Sequence, residues 1–349
     1  MGKIKRIGIL TAGGDCPGLN AAIRAVSKPA IVEHGIEVIG ISSGFLGLIE
    51  KDYIKITEES LSGILTLGGT ILGTSREKPF KKKSFYFQEI EKPQVIKQNY
   101  EELGLDCLVC IGGNGTQKTA YKLSKLGLNV IGLPKTIDND IWGTDICFGF
   151  DSAVGIATDA IDRLHTTANS HRRIMVIEVM GHKAGWIALH SGIAGGGDII
   201  LLPEIEYREE AIADFIVKRA LKRQGSTIVV VAEGIRKPER MNAGQYISNV
   251  ISGLTQLETR VTVLGYIQRG GTPSATDRII ATRYGTAALD LILNRDFGKM
   301  VALKDDKIIT IDLEQVEGKL KLVTPEHKLV KSAKSVGTSF GEKERFVKE

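Results

Sequence analysis

Cysteine is scarce in this chain. Cys16, Cys107, Cys110 and Cys147 are the four among 349 residues, and their spacing builds no disulfide framework. Cys107 and Cys110 form a CxxC, but inside the apolar run at 105–111. On a strand, residues three apart face opposite sides, so the pair reads as buried thiols rather than a metal or redox site. Charge of one sign is also lacking. Lys and Arg number 46 against 41 Asp and Glu, a net +5, and no basic stripe with interleaved aromatics marks a nucleic-acid surface. The mild positive balance suits small anions instead. No apolar run reaches the ~20 residues of a helical membrane span. Met1, Gly2, Lys3, Ile4, Lys5 and Arg6 lead at once into a strand rather than into the longer apolar region of a signal peptide, so a cytoplasmic chain is expected. No repeat with a period of roughly 20–50 residues is visible.

Hydrophobic residues at 42% and charged residues at 25% fit a globular protein with a large core in one or two domains. Forty glycines cluster in turns after apolar runs. Strands are expected at 7–10, 37–41, 107–111, 130–133, 174–179, 199–202, 227–232 and 260–265. Helical spacing covers 19–34, a stretch from the turn after 107–111 through Leu126, 151–170, 185–194, near 209–224 and 276–294. Such alternation predicts an α/β fold of mainly parallel, buried strands covered by helices. Breaks near 143–149 and 233–245 point to two αβα lobes that exchange segments. The stretch from about Lys331 onward, rich in Lys, Glu, Ser and Gly, reads as a disordered tail or a loose surface strand.

The run PKTIDND at 134–140 carries the most chemistry. It brings two carboxylates, a carboxamide, a hydroxyl and an ammonium directly after the apolar run 128–133. Proline ends the strand ladder, so these groups sit at the carboxyl edge of a sheet, where open α/β sheets bind ligands. Asp138 and Asp140 fit two roles in phosphoryl transfer, proton acceptor and Mg²⁺ holder. The same residues also fit a DND turn closed by Asx hydrogen bonds without chemistry. Two further strands end in paired glycines before a helix, at 13–14 and at 112–113. Glycine lets backbone N–H groups approach an anion, and the helix N-terminus behind adds partial positive charge. Neither turn is a GxxxxGK[ST] loop or a dinucleotide fingerprint.

Together these segments resemble the phosphofructokinase family. The matching pieces are GGDCPGLNAAIR (13–24), GTSR (73–76), GGNGT (112–116), PKTIDND (134–140), NSHRR (169–173), EVMG (178–181), AEG (232–234) and TRVTVLGYIQRGG (259–271), within about 5–290. The resemblance implies a phosphofructokinase-like fold of two αβα lobes. It places 1–142 with about 233–300 in a nucleotide-binding lobe, 143–232 with the C-terminal part in a sugar-phosphate lobe, and 331–349 in a charged tail. It implies Mg²⁺-dependent transfer of the ATP γ-phosphoryl to the 1-hydroxyl of fructose 6-phosphate, in a homotetramer whose sugar sites are shared between subunits.

By the same resemblance Asp138 is the general base. Thr136 contacts the transferring phosphoryl, and Ile137 lies beside it in the substrate site. Arg76 binds donor phosphate with Glu77 next to it, and Gly14, Gly113, Asn114, Gly115 and Thr116 form the nucleotide site. Met180, Gly181, His182, Glu233, Tyr266 and Arg269 serve the sugar phosphate, and Arg173 and Arg260 reach across from a neighbouring subunit. Asn114 and Asp140 are the implied metal ligands, although Asn114 stands where many members carry an acid. His182 replaces a residue that is often arginine and Tyr266 a common histidine, and both still donate to phosphate. Arg24 of the family's effector site is kept, while the region around Tyr53 lacks its arginine, which leaves regulation open. Donor choice rests on Gly115 and Lys135. Pyrophosphate users of the family carry aspartate at 115, which excludes the nucleotide α-phosphate, so glycine favours ATP. Lys135 is typical of pyrophosphate users and is compatible with either donor. The alternatives are a pyrophosphate-dependent phosphotransferase and a non-catalytic sugar-phosphate or nucleotide sensor.

Overall fold

Runs of aliphatic and β-branched residues closed by glycine or proline become the inner strands, because both of their faces are covered. A computed structural model describes residues 3–81, 91–171, 173–222 and 226–342. Among them are eleven strands: β1 Arg6–Ala12, β2 Glu37–Ile41, β3 Tyr53–Ile56, β4 Cys107–Gly112, β5 Val130–Pro134, β6 Ile174–Val179, β7 Ile199–Leu201, β8 Thr227–Ala232, β9 Thr259–Val263, β10 Lys299–Lys304 and β11 Lys307–Asp312. They form a seven-stranded sheet in the order β11-β10-β5-β4-β1-β2-β3 and a four-stranded sheet in the order β7-β8-β6-β9. Every pairing is parallel except β2 with β3 and β10 with β11, which close the larger sheet at its two edges. All six residues of β4, β6 and β8 are buried. The edge strand β3 exposes Tyr53, Ile54 and Lys55. Cys107 and Cys110 lie buried within β4, and burial drives both thiols well above their ordinary range.

The chain divides into two compact units. The first holds residues 1–136, 141–152 and 269–320, and the second holds 137–140, 153–268 and 321–349. In the first, a core including Leu10, Ile39, Leu108, Val130 and Met300 fills the space between sheet and helices, each such side chain worth roughly 1.5–3 kcal/mol of burial. Helices Leu19–Val32 and Ala275–Leu293 cross closely, since a Cβ on Gly285 would lie 2.6 Å from that of Ala25.

These divisions differ from the expected lobes. The stretch 233–268, expected with 1–142, belongs to the second unit, and 143–152 and 301–320, expected with the sugar-phosphate lobe, belong to the first, whereas 269–300 falls in the first as expected. The strand pairing explains this. β9 joins β6 in the smaller sheet, whereas β10 joins β5 in the larger one. The region expected as a tail is also ordered as far as Glu342. Helix Lys328–Ser335 buries Val330 and Ala333, Ser339 bridges Ile199 in register with the smaller sheet, and Phe340 is buried. Its apolar residues are few but spaced to face one side, so the charged remainder stays in water. Residues 343–349, and Arg172 of the NSHRR stretch, lie outside the described residues.

Candidate active site

Register brings three loops of the first unit onto one row. Ala12 pairs with Gly112 across β1 and β4, and Gly112 pairs with Pro134 across β4 and β5. The turns at 13–14 and 113–116 and the start of 134–140 therefore leave neighbouring parallel strands at the same carboxyl edge. Side chains then bind the loops together. The Lys135 ammonium donates to Ala12 O at 3.2 Å and to Gly14 O, and the residue is only 3% exposed. Burying an ammonium costs several kcal/mol unless it is paired, and carbonyl oxygens supply partners here. The Thr116 hydroxyl donates to Ala12 O at 3.3 Å. Glycine is required at position 13 by its backbone, and position 14 is crowded by an arginine side chain. Gly13 has φ +89°, and a Cβ on Gly14 would stand 2.5 Å from Arg269 Nη1.

A fourth loop joins them. The Thr74 hydroxyl donates to Gly13 O at 2.7 Å, the Gly13 N–H donates to Ser75 O at 2.9 Å, and the Thr11 hydroxyl donates to Gly73 O at 2.7 Å. Ser75 Oγ anchors the loop's far side on Ser43 O. Arg76 follows this clamp with its side chain exposed, and Glu77 pairs with Lys92 at 2.7 Å. Gly115 stands in the first turn of helix Asn114–Lys125, and a Cβ there would meet no atom within 4 Å. Asn114 Oδ1 is buried with no hydrogen-bond partner among the described residues. Thr136 lies against Gly113. Arg269 Nη1 donates to Asp15 O at 3.1 Å, so this arginine sits on the glycine turn of the first unit. Cys16 is close by, but burial pushes its thiol up to about 12, which removes it as a nucleophile at neutral pH.

Ile137, Asp138, Asn139 and Asp140 belong to the second unit. Ile137 and Asp140 are buried there, Asp138 is half-buried, and Asn139 takes φ 51°. The Asp140 carbonyl accepts from Lys321 N at 2.9 Å. In the same unit Val179 of β6 pairs with Ala232 of β8, so the loops at 180–182 and 233–234 emerge side by side. Glu233 Oε1 accepts from Gly181 N at 3.2 Å and His182 N at 2.8 Å, which leaves Oε2 for a ligand hydroxyl. Met180 N donates to Gln268 Oε1 at 3.3 Å. Gly181 is needed as glycine, with φ +143° and a Cβ that would run into Ala184 O. Tyr266 is 72% exposed.

Arg173 and Arg260 are not part of that loop cluster. They lie at the amino ends of β6 and β9 and share Glu258. Arg173 Nε is 3.0 Å from Glu258 Oε2, and Arg260 pairs with the other oxygen. The hydrogen bond from Arg173 holds the Glu258 carboxyl below its ordinary value, with the charge of Arg260 adding to it. A six-residue strand spans ~20 Å, so within this unit the arginines stand a full strand length from Met180 and Glu233.

Sequence reasoning missed Thr11, Thr74, Ser43 and Glu258. Thr74 falls inside the quoted GTSR, and its hydroxyl next to Arg76 was the available signal.

A family model described as phosphofructokinase matches residues 6–292. The ATP-dependent 6-phosphofructokinase 3 of Bacteroides thetaiotaomicron is 62% identical over 336 residues, covering 96% of this chain and 100% of that relative. The pyrophosphate–fructose 6-phosphate 1-phosphotransferase of Streptomyces coelicolor is 44% identical over 338 residues, covering 92% of this chain and 96% of that relative. Among solved structures, a pyrophosphate-dependent phosphofructokinase from Marinobacter aquaeolei matches with a TM-score of 0.83 at 24% identity, covering 94% of this chain and 88% of its own. That last likeness is one of fold.

Proposed function

The chain belongs to the phosphofructokinase family, and from that premise we propose that it transfers the γ-phosphoryl group of ATP to the 1-hydroxyl of fructose 6-phosphate, giving fructose 1,6-bisphosphate in glycolysis. The observation that carries the donor assignment is the open space at Gly115, where a Cβ meets nothing within 4 Å. That space, at the N-terminus of helix Asn114–Lys125 and beside the clamped 12–14 turn, suits the α-phosphate of a nucleotide. Lys135 and the backbone of the glycine turns bind and orient the donor phosphates, and Arg76 offers its guanidinium to charge spreading over the equatorial oxygens. Asp138 takes the proton from the sugar hydroxyl as the bond to phosphorus forms. Glu233 accepts a sugar hydroxyl through Oε2 and fixes the 181–182 backbone through Oε1.

We assign Mg²⁺ as the cofactor. In the first unit Asn114 offers a buried carboxamide oxygen with no hydrogen-bond partner among the described residues, a donor that suits the ion. When bound, the ion neutralises charge on the donor phosphates. The placement of Arg173 and Arg260 supports a shared sugar site, because they cannot reach the 180–182 loop of their own chain. We assign a homotetramer, with the exposed Tyr266 completing the sugar-phosphate contacts of the second unit and His182 donating to phosphate. The first unit is assigned to the donor and the second to the sugar phosphate. Among the described residues no helix is long and apolar enough to cross a membrane, and we place the enzyme in the cytoplasm.

Lys135 favours the second reading, with pyrophosphate as donor, since an ammonium on the glycine turn steadies a small leaving group equally well. One coupled assay decides the matter. Purified protein with Mg²⁺ and fructose 6-phosphate is given ATP or pyrophosphate, and fructose 1,6-bisphosphate is measured. Turnover with ATP and little with pyrophosphate is expected. The reverse preference overturns the donor assignment, and no turnover with either leaves a sugar-phosphate or nucleotide sensor.

A further inference from the structure

The second unit contains a cleft of about 640 Å³, bounded by the loops after β7 and β8 and by the starts of helices Glu209–Leu221 and Ala243–Thr255. Two tyrosines, Tyr207 and Tyr246, and two cations, Arg236 and Lys237, line it. Most of its acids are already engaged. Glu209 accepts the Tyr246 hydroxyl, and Glu204 Oε1 accepts from the N–H groups of Gly185 and Val323, each at 2.9 Å. Glu206 remains, exposed at the rim. The Tyr207 hydroxyl donates to Arg236 O, which ties the 236–238 loop down. With both hydroxyls bonded within the protein, the phenol rings offer the cleft their apolar faces and edges. Arg236 and Lys237 form no ion pair among the described residues. The nearby buried Glu178 feels the charge of Lys237 but accepts its hydrogen bond from Gly244 N at 2.7 Å. The cleft thus combines two cations that form no ion pair among the described residues, an aromatic wall and three carboxylates, of which Glu204 and Glu209 are turned to hydrogen bonds within the protein.

We propose that this cleft binds a small organic anion carrying an aromatic or heteroaromatic ring, with its phosphate or carboxylate on Arg236 and Lys237 and its ring against Tyr207 and Tyr246. A guanidinium beside an ammonium suits either anion, and the two rings select a flat apolar body over a bare ion. This assignment does not depend on the donor or acceptor roles given above.

Calorimetric titration of the full chain with phenyl phosphate and with benzoate tests it, and shows which anion is taken. At least one should bind with Kd of about 1 mM or tighter. Inorganic phosphate and benzyl alcohol, each lacking one half of the recognised chemistry, should bind at least tenfold more weakly. The double variant Arg236→Ala with Lys237→Ala, and separately Tyr246→Ala, should each weaken the aromatic anion by tenfold or more. Glu233→Gln, at the start of the same loop but outside the cleft's lining, should leave its affinity unchanged. Lys237→Gln guards against a folding defect, with far-UV circular dichroism matching the parent. The proposal is overturned if neither aromatic anion binds, if inorganic phosphate binds as tightly and loses that affinity in the cleft variants, or if the well-folded cleft variants keep full affinity for the aromatic anion.

Discussion

At Asp138 the placement is compatible with two different fates, a hydrogen-bonded turn or a proton acceptor. Replacement by asparagine distinguishes them, because it keeps the shape and removes the basicity. Asp138→Asn should lower kcat by at least ~10²-fold with little change in the KM for fructose 6-phosphate. Steady-state kinetics that retain more than half of kcat would assign the residue to the turn alone. Gly115 makes a complementary prediction about the donor. An aspartate there would enter open space, putting a carboxylate where the proposed reading seats the α-phosphate of ATP. Like charges ~4 Å apart repel by about 1 kcal/mol in water and by several at the lower effective dielectric of a cleft. With the steric conflict added, Gly115→Asp should cut kcat/KM for ATP by ~10²-fold, while use of pyrophosphate persists or appears. Parallel assays with the two donors check it. The carboxylate cluster and the glycine turn that follow apolar runs were legible in the sequence as local signals. The grip of Lys135 on Ala12 O and Gly14 O was not. It joins residues more than a hundred positions apart, and only the shared β1–β4–β5 register brings them together.

Between residue and element lies the loop 73–76, whose hold on the glycine turn runs through a few hydroxyls. Thr74→Val keeps the shape and removes the 2.7 Å bond to Gly13 O. A single net hydrogen bond is worth about 0.5–1.5 kcal/mol, so KM for the donor should rise several-fold while KM for the sugar phosphate stays constant. Equal changes in both would show a general loss of stability instead. The paired arginines at the amino ends of β6 and β9 offer a titration. Arg173 holds the Glu258 carboxyl below its ordinary 4.5. The pair's stabilisation is therefore complete above that value and is lost as pH falls through the lowered one. A carboxyl-detected NMR titration should place the Glu258 midpoint below 4.5, and Arg173→Ala should move it upward. Elements with two covered faces, such as β4, β6 and β8, were readable as unbroken apolar runs. The edge strands β3 and β11 were not, because one face meets water and their mixed polarity resembles a loop. The helix Lys328–Ser335 was missed for a similar reason, its apolar face being narrow and its charge high.

On the scale of the whole molecule, the separation of Arg173 and Arg260 from Met180 and Glu233 predicts complementation. On the proposed reading Asp138→Asn removes the base and Arg260→Ala the cation lent across a homotetramer, so each variant alone should be impaired. After subunit exchange, hybrids contain some sites that draw an intact half from each chain, and activity should partly return. Exchange confirmed by native mass spectrometry without recovery would show that each chain completes its own site. The division of the chain was the least legible property of all. Whether 233–268 and 269–320 go with one unit or the other depends on which strand β9 and β10 pair with, and no local pattern encodes the partner.

That division also sets the order of events during synthesis. β10 adds to the first unit's sheet beside β5, yet the ribosome must make the whole stretch from Pro134 to Lys299 in between. At the usual ~5–20 residues per second, the half-built sheet waits roughly 10–30 s with one flank of β5 unpaired. During that interval the nascent chain offers an open strand edge to any passing extended segment. Slowing translation across that stretch should therefore cost soluble yield without changing a single contact of the finished protein.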